Sequence, residues 1–259
     1  MTASKSALGG LRTAGIFLTR VPLGDNPDHD LSAAVPWFPV VGAVVGLLAG
    51  GVYLGAALVL PAAAAAALAV TVAALVTGAF HHDGLADMAD AFGGGWDTEQ
   101  RLHILKDSRH GTYGVMALVC AVVTQVAAIG ALPGLVGLAA LVAAHTLGRA
   151  AAVALMGVLR PAAGHGLGVD YTAAARRGHI LLAVGAGVGI GLLVLGPAAA
   201  LCVLAAAAVV AGVGTLAQRK IGGLVGDVLG AAEQVAETAV LLAVAALWQA
   251  GWVPWWAAG

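Results

Sequence analysis

Apolar residues run for about twenty positions at a time along this chain, separated by short polar breaks. The runs are continuous rather than alternating, so they carry the signature of helices and not of half-buried strands. A helix of about 20 residues crosses a hydrocarbon core of about 30 Å and satisfies its own backbone in lipid. About seven such runs follow one another, over 36–60, 62–80, 112–132, 134–159, 179–196, 197–217 and 228–251. Ahead of them, residues 6–21 read as a mildly amphipathic helix, interfacial or re-entrant, stopped by Pro22. The pattern predicts an all-α, polytopic integral membrane helical bundle forming a single domain over 1–259.

Composition agrees with that architecture. The chain is 61% hydrophobic and only 10% charged, where soluble domains carry about a quarter charged residues. A formal net charge of -1 gives no reason to expect a nucleic-acid partner. Cys120 and Cys202 sit inside apolar runs without metal-ligand spacing and imply no disulfide framework. The N-terminal apolar stretch is short and broken by Gly9, Gly10 and Gly15, which argues against a cleaved signal peptide.

The charges add an orientation. With this segmentation the connections near Pro61, Pro133 and Pro197 and the Trp252–Gly259 tail hold no charged side chain, and all 12 basic residues fall on the opposite face. The positive-inside rule makes that face cytoplasmic, with the N-terminus inside and the C-terminus outside. Multi-pass insertion in the cell (inner) membrane follows. Trp248, Trp252, Trp255 and Trp256 form an aromatic anchor at the outer interface.

The polar segment His81–Phe92 follows directly on the second run. Asp83, Asp87 and Asp90 stand at i, i+4 and i+7, on one face of a helix. Three like charges on one face beside a membrane-length segment call for a cation among them, and Mg²⁺ is the usual occupant of oxygen-rich sites open to phosphate. The competing reading is a solvated helix end whose acids face water. A second polar block, Asp97–Gly114, holds Arg101, Lys106 and Arg109, suited to phosphate oxygens. Ser108, Gly111 and Gly114 suggest a turn whose backbone N–H groups approach a ligand. Together the blocks read as a metal-assisted phosphate site.

Other polar positions are weaker. The loop 24–30, with Asp25, Asp28, His29 and Asp30, reads as solvated. Arg149 is an intramembrane charge with Asp83 or Asp87 as natural partners, unless it snorkels to the helix end. The loop 160–179 carries Gly164, His165, Gly166, Arg176 and Arg177, and suits phosphate or simply the positive-inside rule. In 222–237, Asp227, Gly230 and Ala231 make a small-residue face that permits close helix approach or self-association into a homo-oligomer. Glu233 and Glu237 are an i, i+4 pair, and Asp227 and Glu237 are placed on about the same face. His145 reads as a packed helix residue, and His81 as a group orienting a carboxylate or phosphate.

These segments resemble the membrane-embedded cobalamin synthases, the adenosylcobinamide-GDP ribazoletransferases. The likeness rests on Phe17-Leu18-Thr19-Arg20-Val21-Pro22, on His81-x-Asp83-Gly84-Leu85-Ala86-Asp87-x-Ala89-Asp90, and on Leu105-Lys106-Asp107-Ser108-Arg109-x-Gly111-Thr112-Tyr113-Gly114. Gly148-Arg149 and Gly222-Gly223-x-x-Gly226-Asp227-x-Leu229-Gly230-Ala231 with Glu237 complete it. The resemblance implies a Mg²⁺-dependent transferase that joins adenosylcobinamide-GDP to α-ribazole or its 5′-phosphate and releases GMP. It implies Asp83, Asp87 and Asp90 as metal ligands, Lys106, Arg109 and Arg149 as phosphate-neutralising groups, and Asp90 or Asp227 as the base. Substrate contacts are expected from His81, Asp107, Ser108, Gly111, Tyr113, Gly223 and Glu237; His82 carries no role. A CDP-alcohol phosphotransferase is the alternative in the same chemical class, but its Ala-Arg pair after Asp-Gly is replaced here by Ala86-Asp87. An ion-coupled secondary transporter is the alternative of a different class, and it asks for an inverted repeat that the sequence lacks.

Overall fold

A computed structural model describes residues 2–24, 30–162 and 167–257, with side chains placed from residue 7 to residue 256 except Leu167. Asp25, Asp28 and His29 of the polar loop, and Gly164, His165 and Gly166, lie outside the described residues. The described chain is helical: α1 (Thr2–Leu18), α2 (Leu31–Ala34), α3 (Phe38–Ala56), α4 (Ala62–Thr77), α5 (Phe80–Gly94), α6 (Thr98–Ile104), α7 (Thr112–Gly130), α8 (Gly134–Val158), α9 (Leu167–Ala174), α10 (Arg177–Leu195), α11 (Ala199–Ile221) and α12 (Gly226–Gln249). Five stretches have the length and composition to cross a membrane, or six when the bent pair α4–α5 is taken as one span.

One of the five is the 45-residue stretch Arg177–Ile221, which would be about 67 Å long if straight at 1.5 Å per residue. Gly196, at φ +61°, and Pro197 break it. Gly187 and Gly191 of α10 lie against Ala150 and Leu147 of α8, whereas Gly214 of α11 has returned to Leu155 and Leu159. The chain therefore reverses between α10 and α11. At the break, Trp255 and Trp256 donate their indole N–H groups to Leu193 and Val194 carbonyls at 3.2 and 2.9 Å, tying the C-terminal segment to the end of α10.

α8 is the axis of the bundle. Its residues from Val136 to Ala150 are buried with one exception, because α3, α10, α11 and α12 all pack on it. Glycine permits the closest of these approaches: a Cβ on Gly46 would lie 2.6 Å from the Leu141 carbonyl oxygen. A helix so enclosed reads apolar all round, with no stripe to mark its buried side.

Two expectations change. The second apolar run does not continue as one helix to Phe80. Gly78 caps α4 at φ +66°, Ala79 follows at φ +56°, and α5 leaves at 92° to α4. The aspartates therefore lie along a separate helix, set across the direction of α4. The stretch 160–179 is likewise not all loop, because α9 carries Tyr171, only 2% exposed, into an aromatic cluster with Phe17 and Phe38.

Candidate active site

α5 is held against α12 through glycines. A Cβ on Gly84 would stand 2.9 Å from the Asp227 carbonyl oxygen and 3.2 Å from the Gly230 Cα, so α5 and α12 meet backbone to backbone. The small-residue face of 227–231 is thus occupied within the chain. This packing fixes the direction of each α5 aspartate.

The trio divides. Asp83 is exposed and Asp87 half-buried, and His110 reaches both, with Nε2 3.8 Å from Asp83 Oδ1 and Nδ1 3.4 Å from Asp87 Oδ1. One ligand atom from each of Asp83, Asp87 and His110 lies within 4.8 Å of the others. Two carboxylate oxygens from α5 and an imidazole nitrogen from the loop before α7, at that spacing, are a donor set that a divalent cation accepts. Asp227, partly buried on α12, is near enough to feel the charges of Asp87 and Asp83.

Asp90 does something else. Its oxygens accept the Gly111 N–H at 2.6 Å and the Gly114 N–H at 2.9 Å, so it caps α7 and ties the 105–114 loop to α5. This also accounts for the two glycines: a Cβ on Gly111 would stand 2.6 Å from Asp90 Oδ1, and one on Gly114 would collide with Oδ2. The expectation that Gly111 and Gly114 present free N–H groups to a ligand is corrected, because their partner is Asp90.

The rest of that loop stays at the surface. Arg109 forms a forked pair with Asp107 at 2.6 to 3.2 Å. Those bonds to Arg109 hold the Asp107 carboxyl down at about 2, so the pair is complete above that pH and is lost only as pH falls through it. Lys106 and Ser108 are exposed, and the Tyr113 ring lies over Gly93. Arg101 is drawn away, donating to the Lys220 carbonyl at 3.2 Å and the Trp96 carbonyl at 2.9 Å.

Arg149 is 2% exposed and neither snorkels nor meets Asp83 or Asp87. Its Nη1 lies 2.7 Å from Glu233 Oε1 and 3.0 Å from Glu237 Oε1, and donates to the His145 carbonyl at 2.9 Å. His145 pairs with Glu237, Gln234 bonds both glutamates at 3.0 Å, and His81 Nδ1 stands 3.4 Å from Glu233 Oε2. The expected partnership with α5 aspartates is corrected: α8 faces α12 here, and the glutamates one turn apart on α12 meet the arginine first. Asp227 and Glu237 also do not share a face. Ten residues at 100° each leave them about 80° apart, so Asp227 looks toward α5 while the Glu237 side chain packs on Gly148 of α8. Gly223 sits at the bridge between Pro161 and Leu224, where a Cβ would lie 2.9 Å from the Ala162 nitrogen.

Four side chains escaped the sequence reading of the site. His110 occupied the unassigned position between Arg109 and Gly111, and only the fold of the loop brings it to Asp83. Glu233 and His145 were legible as intramembrane polar groups, but not as partners of one arginine. His82 shuts both ring nitrogens away from solvent without a hydrogen-bond partner among the described residues.

The bundle with its carboxylate and imidazole cluster beside a basic loop is that of a multi-helix membrane protein with a polar cluster on α5 and the loop before α7. Its relatives make the class specific. A family model described as cobalamin-5-phosphate synthase matches residues 10–245. Curated relatives named adenosylcobinamide-GDP ribazoletransferase include one from Bradyrhizobium diazoefficiens, 41% identical over 95% of this chain and 96% of the relative. Another from Shewanella amazonensis is 36% identical over 96% and 99%, and one from Shewanella frigidimarina 35% identical over 89% and 92%. No solved structure matches the chain. The chain belongs to the cobalamin-5-phosphate synthase family.

Proposed function

We propose that this protein is a membrane-embedded ribazoletransferase that joins adenosylcobinamide-GDP to α-ribazole or its 5′-phosphate. A ribose hydroxyl oxygen attacks the phosphorus on the cobinamide arm, the bond to the GMP phosphate oxygen breaks, and the hydroxyl proton passes to a carboxylate. The products are adenosylcobalamin, or its 5′-phosphate, and GMP. The observation that carries this reading is the Asp83, Asp87 and His110 cluster, whose acids lie on α5 and whose histidine lies in the loop before α7, both among the segments resembling the family.

Asp83, Asp87 and His110 would hold Mg²⁺, which neutralises diphosphate charge when bound. The chain's own residues do the rest. Lys106 and Arg109, on the exposed loop, bind phosphate oxygens, with Arg109 exchanging Asp107 for the substrate. Asp227 receives the hydroxyl proton, since Asp90 is committed to the Gly111 and Gly114 N–H groups. Asp90 positions the loop, while Arg149, Glu233 and Glu237 brace α8 against α12 behind it. Seven crossings, with the N-terminus and the cluster on the cytoplasmic face of the cell membrane, fit the reversal between α10 and α11 and the one-sided charges.

Single-turnover GMP release by the purified protein tests the proposal. Release should require both the acceptor and Mg²⁺; absence of release from folded protein given both substrates and metal would overturn it.

A further inference from the structure

Phe17, Thr19 and Arg20 of the N-terminal segment take no part in the chemistry above, yet they wall a cavity of about 390 Å³ beside the α4–α5 break. That volume falls in the range of about 300–1,000 Å³ typical of small-molecule sites. Phe17 is its aromatic hub, with ring centroids 5.1 Å from Phe80 and 4.3 Å from Tyr171. Phe80 remains 38% exposed, leaving a ring face for a flat ligand. Arg20 lines the same cavity. Its backbone N–H donates to the Val76 carbonyl at 2.7 Å and its side chain crosses Gly78, which fixes the residue at the break. Among the described residues no carboxylate pairs with its guanidinium.

No carboxylate lines the cavity among the described residues, but α5 connects it to the acids. Phe80 and Asp83 are three residues apart on α5 and share a side of the helix, one turn apart. A ligand seated on Phe80 therefore extends toward Asp83. The other polar lining has little to offer a base edge: Thr13, Thr19 and Thr77 donate their hydroxyl hydrogens to the carbonyls of Gly9, Gly15 and Ala73 at 3.0, 2.7 and 2.8 Å.

We propose that this cavity seats the acceptor, with the aromatic base against Phe17 and Phe80 and the 5′-phosphate on Arg20. The assignment rests on the ribazoletransferase reading. Of the three aromatic bases in that reaction, guanine and the adenine of the adenosyl group carry amide or amino donors that an apolar wall leaves unpaired at a cost. The dimethylbenzimidazole of α-ribazole makes no such demand, and an aromatic cavity with one unpaired cation matches its 5′-phosphate.

The test uses the full-length protein in detergent, with equilibrium dialysis of α-ribazole 5′-phosphate and of α-ribazole beside initial rates. Wild type should bind the phosphorylated acceptor more tightly. Arg20→Gln should raise its Kd and KM about ten- to a hundredfold, the worth of a charge-assisted bond, while α-ribazole and adenosylcobinamide-GDP keep near wild-type values. Arg20→Lys should recover part of the loss. Because Arg20 also packs on Gly78, Ile16→Trp is the second variant: Ile16 lines the cavity, and filling it should weaken both acceptors and spare the donor. An Arg20→Gln protein that still prefers the phosphorylated acceptor, or variants that lose GMP or adenosylcobinamide-GDP instead, would overturn the assignment while leaving the transferase intact. Wild-type protein that releases no GMP with either acceptor would remove the transferase reading as well.

Discussion

Arg149 shows how much a single buried charge can demand. It is enclosed by Glu233, Glu237 and the His145 carbonyl, and removing one partner of a buried ion pair leaves the other charge unpaired at about 3–5 kcal/mol. Arg149→Met should therefore destabilise the protein by about that amount, read as a fall in the unfolding midpoint in detergent. Joining it to Glu237→Gln should recover part of the loss. Surface acids behave differently. Asp83→Asn and Asp87→Asn, at an exposed and a half-buried position, each remove a carboxylate oxygen and no ion-pair partner but His110, so the protein should stay folded and lose GMP release at ordinary Mg²⁺; retained release by both would remove the metal assignment. Asp90→Asn lies between these cases. An amide oxygen can replace only one of the two acceptors now used by Gly111 and Gly114, so the 105–112 loop should become faster to cleave by protease, with activity falling alongside.

At the scale of elements, the α4–α5 break and the α5–α12 contact set the site. Ala79 holds φ +56°, a conformation costing roughly 1–2 kcal/mol for a residue with a Cβ. Ala79→Gly should relieve part of that and raise the unfolding midpoint. Gly84→Ala should act in the opposite sense, since the new Cβ meets α12 backbone at 2.9 and 3.1 Å and overpacking costs about 1–3 kcal/mol. Gly94, at the end of the same helix with open space around it, is the control: Gly94→Ala should be neutral or slightly stabilising. The aspartate spacing put Asp83, Asp87 and Asp90 on one face, and that face exists. Its division between a cluster with His110 and a cap for α7 depends on where the 105–114 loop returns, which no local period records.

For the whole molecule, the one-sided charges and the reversal at Gly196 and Pro197 define a directional prediction. A single cysteine placed at Ser108 in a background lacking Cys120 and Cys202 should react with an impermeant maleimide in inside-out vesicles only. One placed at Ala250, beyond α12, should react in right-side-out vesicles only. Labelling of both from the same side would exclude the proposed topology.

What the chain alone determined follows from interactions local in sequence. Apolar run length gave an α-helical membrane bundle, prolines and glycines gave its punctuation, and the i, i+4, i+7 spacing of Asp83, Asp87 and Asp90 with the Lys106–Arg109 block gave the phosphate site proposed above. Tertiary structure decided which side chain meets which. It gave Arg149 to Glu233 and Glu237, brought His110 to Asp83 and Asp87, turned Asp90 to the α7 N-terminus, and placed Arg20 beside Phe80. These contacts join residues tens of positions apart, and they depend on helix rotation and crossing set by glycine contacts such as Gly84 with Gly230. A hydropathy pattern reports that a residue is enclosed; the identity of its neighbour is a property of packing.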